Sequence, residues 1–122
     1  MRLLLALLVL VAAGAASAQD LQRGTRVFTR CIACHSLEAA RGPAPGPGLI
    51  GIVGRAAAAV PDFEYSPALV AAGRRGLVWT EDALDRFVAD TEVFLPGTVM
   101  GFLRIPNAED RRALIELLRS AR

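Results

Sequence analysis

Between Leu37 and Gly54 the chain reads LEAARGPAPGPGLIGIVG, eighteen residues that hold three prolines and five glycines. Proline lacks an N–H and fixes φ, and glycine costs backbone entropy in any regular element, so helix and strand are excluded over most of this stretch. In a chain of 122 residues it reads as one long ordered loop, of the kind that usually carries function. The regular structure must come from the flanks, and both flanks carry helix signals. Asp20 reads as the cap of a first helix, on which Gly24, Val27, Phe28 and Cys31 recur three or four residues apart and share a face. Ser66 and Pro67 open a short second helix that Gly73 or Gly76 ends. Thr80 caps a third, with Glu81 and Asp82 in its first turn and Leu84, Phe87 and Val88 as its buried stripe. After a break at LPGTVMGF and Pro106, Asn107 caps a last helix bearing Leu114, Leu117, Leu118 and Ala121 on one side. No period-two alternation occurs, so the expected fold is small and all-α, helices joined by long loops.

Residues 2–18, RLLLALLVLVAAGAASA, start with Arg2, run apolar from Leu3 to Ala13 and leave through Ala16-Ser17-Ala18. That order is a secretory signal with cleavage after Ala18, and the apolar run is too short for a membrane span of about 20 residues. The expected mature domain is Gln19–Arg122, exported to an oxidising compartment, most simply a bacterial periplasm, with no stable membrane insertion. All fourteen basic residues are arginine, against twelve acids. Such a balance gives no basic face for nucleic acid. A domain this short buries only a modest core, so a further component is expected to complete the interior.

Cys31-Ile32-Ala33-Cys34-His35 contains every cysteine and the only histidine of the chain. Thiol–disulfide exchange wants such a pair at a helix N-terminus after a strand, whereas this pair follows a helix and no strand is expected. Structural zinc wants four ligands, and only three are clustered here. Covalent haem attachment needs this pentapeptide and one distant axial ligand. Two thiols three apart on a helical turn can form thioethers to neighbouring vinyl groups, which leaves His35 beneath the iron. Beyond the signal there is one methionine, Met100, just after the Pro96-Gly97 turn and off any helical stripe. A thioether is a soft ligand suited to haem iron, so Met100 is the candidate for the far side.

With these residues in view the chain resembles the class I c-type cytochromes, mitochondrial cytochrome c and its bacterial periplasmic relatives. The resemblance runs through the whole mature chain and implies helices and loops wrapped around one covalently bound haem c. CIACH makes Cys31 and Cys34 the thioether donors and His35 the proximal ligand. GPGLIGIVGR implies that the Pro47 carbonyl accepts a hydrogen bond from His35 and that Arg55 lies near a propionate. FEYSPAL and GLVWTEDAL place Tyr65 and Trp79 where relatives bond propionates. LPGTVM, with Thr98, resembles the distal segment that gives Met100 to the iron, and Gly24, Phe28, Leu114 and Leu117 match the contact of first and last helices. The implied activity is one-electron transfer between donor and acceptor redox proteins, by a monomer that is not an enzyme. The rival reading is a haem enzyme or small-gas sensor whose sixth ligand is displaceable.

Two departures stand out. Phe87 occupies the place where many relatives carry a tyrosine near the methionine sulfur. Lysine is absent, and Val99 with Phe94-Leu95 flanks the distal turn instead, so the docking face is expected to be more apolar than in the mitochondrial type.

Overall fold

The computed structural model describes residues 17–39 and 44–122. The expected signal segment therefore lies almost wholly outside the described residues, as do Ala40 to Pro43 of the long loop. Five helices occur among the described residues: α1 over 17–28, α2 Pro67–Arg74, α3 Glu81–Ala89, α4 Thr91–Phe94 and α5 Ala108–Ser120. No sheet accompanies them, and the strand-like pairing consists of a single antiparallel bridge, Ala56 with Val78. None of these helices is long and apolar enough to cross a membrane.

Three of the caps read from the sequence close their helices by side-chain acceptance of orphan amides. Ser66 Oγ accepts from Leu69 N at 3.2 Å, Thr80 Oγ1 from Ala83 N at 3.1 Å, and Asn107 Oδ1 from Glu109 N at 2.9 Å and Asp110 N at 3.0 Å. Asp20 does not cap. Residues 17–20 are already helical, so its carboxylate has no free first-turn amides to serve and instead accepts from the Arg112 guanidinium at 3.0 and 3.2 Å. The short α4 was not expected from the sequence, because its four residues are too few to show a period. It is capped by Asp90, whose Oδ1 accepts from Val93 N at 3.1 Å.

α1 and α5 meet where a side chain would not fit. A Cβ built on Gly24 would stand 2.3 Å from the Ala113 carbonyl oxygen and 3.1 Å from Leu117 Cβ, so glycine lets the two backbones touch. Ala113 is fully buried at this crossing, and Phe28, Leu114 and Leu118 continue the core beneath it. Each such large apolar side chain contributes about 1.5–3 kcal/mol on burial. At the rim, Arg23 donates to Asp110 at 2.6 Å and Glu109 at 2.7 Å. α3 supplies Leu84, Phe87 and Val88 to the same core, as its stripe predicted. Arg111 of α5 fastens it, donating to Asp85 at 2.8 Å and to the carbonyls of Ile105 at 3.0 Å and Pro106 at 2.9 Å.

The long loop is pinned by backbone bonds rather than by elements of its own. Leu49 N donates to Ser36 O, Gly51 N to Ala121 O, and Gly54 N to Trp79 O, each at 2.8 Å. Trp79 N returns a bond to Arg55 O at 2.8 Å, which fixes the loop's exit beside the buried indole.

Candidate functional site

The end of α1 sets the first wall of the site. Cys31 N donates to Phe28 O at 2.8 Å and His35 N to Cys31 O at 2.9 Å, so Cys31 to His35 form one further helical turn. Cys31 is half-buried and Cys34 exposed, and no disulfide joins them. Burial pushes the Cys31 thiol pKa up. Among the described residues no three or more His, Cys, Asp or Glu converge to hold a metal ion.

His35 Nδ1 lies 2.7 Å from the Pro47 carbonyl oxygen. A carbonyl only accepts, so Nδ1 carries the proton and Nε2 is left with the lone pair. The bond is possible because Gly46 clears the ring: a Cβ there would stand 2.6 Å from His35 Cε1 and 2.8 Å from both Nδ1 and the Cys34 carbonyl. Gly46 was not singled out in the sequence, although its place between two prolines was the available signal.

These residues line one predominantly apolar cavity of about 210 Å³. Cys31, Cys34, His35 and Pro47 border it together with Arg55, Tyr65, Trp79, Thr98 and Met100, so the fold brings all nine candidate haem-site residues to the same place. Phe28, Leu84, Phe87 and Leu118 add apolar walls. Arg55 donates to Gly48 O at 3.0 Å and also to Ile50 O, which holds the guanidinium at the cavity from the loop side. The Tyr65 hydroxyl accepts from Val60 N at 3.1 Å, which leaves its proton free to donate. Trp79 packs against Phe87 at a tilt of 45° with centroids 5.0 Å apart and lies 6.3 Å from Phe94, an aromatic partner that the sequence had not assigned. Met100 is 40% exposed and its amide is 3.5 Å from Thr98 Oγ1.

This donor set fits a c-type haem. Two thiols and a histidine with its free nitrogen stand on one wall and a thioether borders the same apolar space. The neighbouring Arg, Tyr and Trp provide donors for carboxylates that would be costly to bury unpaired.

No protein-family model matches the chain. Similar proteins are nevertheless clear. Cytochrome c2 of Agrobacterium tumefaciens is 38% identical over 99 residues, 81% of this chain and 89% of that protein. Among solved structures, cytochrome c2 from Rhodospirillum centenum superposes with a TM-score of 0.73 at 30% identity, over 84% of this chain and 98% of the other. Cytochrome cH from Methylobacterium extorquens gives a TM-score of 0.72 at 32% identity, over 83% and 98%. The chain belongs to the class I cytochrome c family, electron carriers rather than enzymes, whose haem is attached covalently at the Cys-x-x-Cys-His motif that Cys31, Cys34 and His35 form.

Proposed function

We propose that the chain is exported, loses residues 1–18, and works as a monomeric periplasmic electron carrier whose haem iron is held by His35 and Met100. The observation that carries this reading is the His35 Nδ1 bond to Pro47 at 2.7 Å. It fixes the tautomer, orients the imidazole and makes Nε2 a stronger donor, the arrangement usual for a metal-bound histidine. The bound haem supplies the one-electron couple. The protein's share is to keep the ligands in place and water away, so that both oxidation states find the same surroundings. A neutral imidazole with a thioether favours a higher potential than anionic ligands would. Arg55, Tyr65 and Trp79 would satisfy the propionates. Their positions around the cavity support that role.

Electrons would pass through the exposed edge beside Met100 to redox partner proteins. The surface there is apolar: Val93, Val99 and Phe102 are 78%, 81% and 83% exposed. Arg30, Arg74 and Arg75 offer at most a weak basic rim. The rival, an enzyme or gas sensor with a displaceable sixth ligand, draws on the partial exposure of Met100.

Visible spectra of the exported protein, oxidised, reduced, and reduced with carbon monoxide, separate the two. Sharp split bands that ignore carbon monoxide are expected. A Soret band that carbon monoxide shifts readily would mean an open sixth position and would overturn the carrier reading.

A further inference from the structure

The chain around Met100 returns to its starting point and is tied there by one residue. Thr91 is completely buried, with 0% of its surface exposed. Its N–H donates to Leu103 O at 3.2 Å, and its hydroxyl donates to Gly101 O at 2.7 Å, the carbonyl directly after Met100. Ile105 N donates to Val88 O at 2.9 Å and Arg104 pairs with Asp90 at 2.7 Å, so the crossing is closed on its outer side as well. Residues 92–102 thus form a loop whose neck is residue 91. Inside it, Glu92 accepts from Gly97 N at 3.4 Å and Thr98 N donates to Leu95 O at 3.2 Å, while Val93, Val99 and Phe102 point outward and add no core contacts. Gly97 and Gly101 turn the chain at φ of 86° and 72°. Leu95 is buried in the core and Phe94 packs on Trp79 and Phe87, which anchors the near side of the loop. None of residues 96–102 is buried, so the side of Met100 facing Gly101 is held mainly by the buried hydroxyl.

We infer that Thr91 is the positioning residue of the distal ligand, its hydroxyl holding the Gly101 carbonyl so that Met100 stays at the iron. This inference rests on the proposed His35–Met100 ligation. Without the hydroxyl the Gly101 carbonyl, on an exposed residue, is left to solvent, and nothing in the protein then holds it over the buried Thr91. Replacing the hydroxyl by a methyl of similar shape therefore raises the population in which Met100 has left, and an external ligand reads that population directly.

The test is imidazole binding to the oxidised holoprotein. Thr91→Val is expected to bind imidazole about tenfold more tightly than the unsubstituted protein, and Thr91→Ser, which keeps the hydroxyl, to stay within about twofold of it. A role confined to general packing would lower the unfolding midpoint in urea and leave imidazole affinity unchanged, and that result would overturn the inference. So would Thr91→Ser behaving like Thr91→Val. Should Thr91→Val not fold, hydrogen exchange in the unsubstituted protein decides. Saturating imidazole is expected to speed exchange of the Thr91 amide, at the neck, but not that of Ile105, outside it. Equal protection of Thr91 with and without imidazole would refute the role. Ready binding of carbon monoxide by the unsubstituted reduced protein would instead remove Met100 from the iron, and the proposed function would fall before Thr91 came into question.

Discussion

Replacing Gly46 with alanine puts one methyl group against the bond that orients His35. The added Cβ would lie 2.6 Å from Cε1 and 2.8 Å from Nδ1, while ordinary contact begins near 3.4 Å, so ring and turn must separate by about 0.8 Å. The third neighbour, the Cys34 carbonyl at 2.8 Å, is backbone and cannot swing aside. Gly46 N also donates to that carbonyl at 2.8 Å, which leaves the turn little freedom to retreat. The cheapest relief is a rotation of the imidazole that lengthens its 2.7 Å bond to Pro47 beyond hydrogen-bonding range. A net hydrogen bond is worth about 1 kcal/mol. Because the bond increases donation from Nε2, it favours the oxidised state, and its loss raises the midpoint potential. If the whole ~1 kcal/mol fell on the oxidised state, the rise would be roughly 40 mV, at about 59 mV per tenfold change for one electron. Protein-film voltammetry measures this directly. A midpoint unchanged within a few millivolts, in a variant that still carries covalent haem, would refute the reasoning. A fall in potential would refute it equally.

At the helix crossing, Gly24→Ala drives a methyl into the Ala113 carbonyl, and the overpacking of about 1–3 kcal/mol exceeds the ~1 kcal/mol that alanine gains in a helix. A lower urea midpoint is expected, and equal or greater stability would contradict the packing described. Ala58 sits at φ 56°, a conformation that costs an L residue roughly 1–2 kcal/mol. Ala58→Gly should therefore stabilise by about 0.5–1 kcal/mol after the entropy of glycine is subtracted, with a raised thermal midpoint as the readout. Phe87, buried between Trp79 and Phe94 and bordering the cavity, gains a hydroxyl donor in Phe87→Tyr. The potential should shift, and an identical midpoint would sink the idea that the missing hydroxyl matters. Electron exchange through the Val93, Val99 and Phe102 face should depend only weakly on salt, because the large side chains exposed there are apolar and carry no charge to be screened. Stopped-flow rates that fall steeply between low and high ionic strength would show that charge steers the encounter after all.

Much of this protein was already determined by local chemistry. Cys31, Cys34 and His35 are neighbours in the chain, so their joint use needed only the turn that ends α1. The caps at Ser66, Thr80 and Asn107 act within three residues of themselves, and the prolines and glycines of the long loop exclude regular structure wherever the loop lies. Met100 could be named because a lone methionine after a Pro-Gly turn is an unusual core residue. Other features were decided by chain segments that meet only on folding. Asp20 looks like a cap, but the residues before it are helical and Arg112, 92 positions away, takes its carboxylate. Gly46 looks like one glycine among several until the His35 ring is set against it. Thr91 resembles a surface residue at a helix boundary, and only the return of the chain at Gly101 and Leu103 buries it and gives its hydroxyl a partner. Sequence spacing encodes contacts within a turn or two. A contact closed by a loop of ten or more residues depends on where the rest of the core puts the two ends.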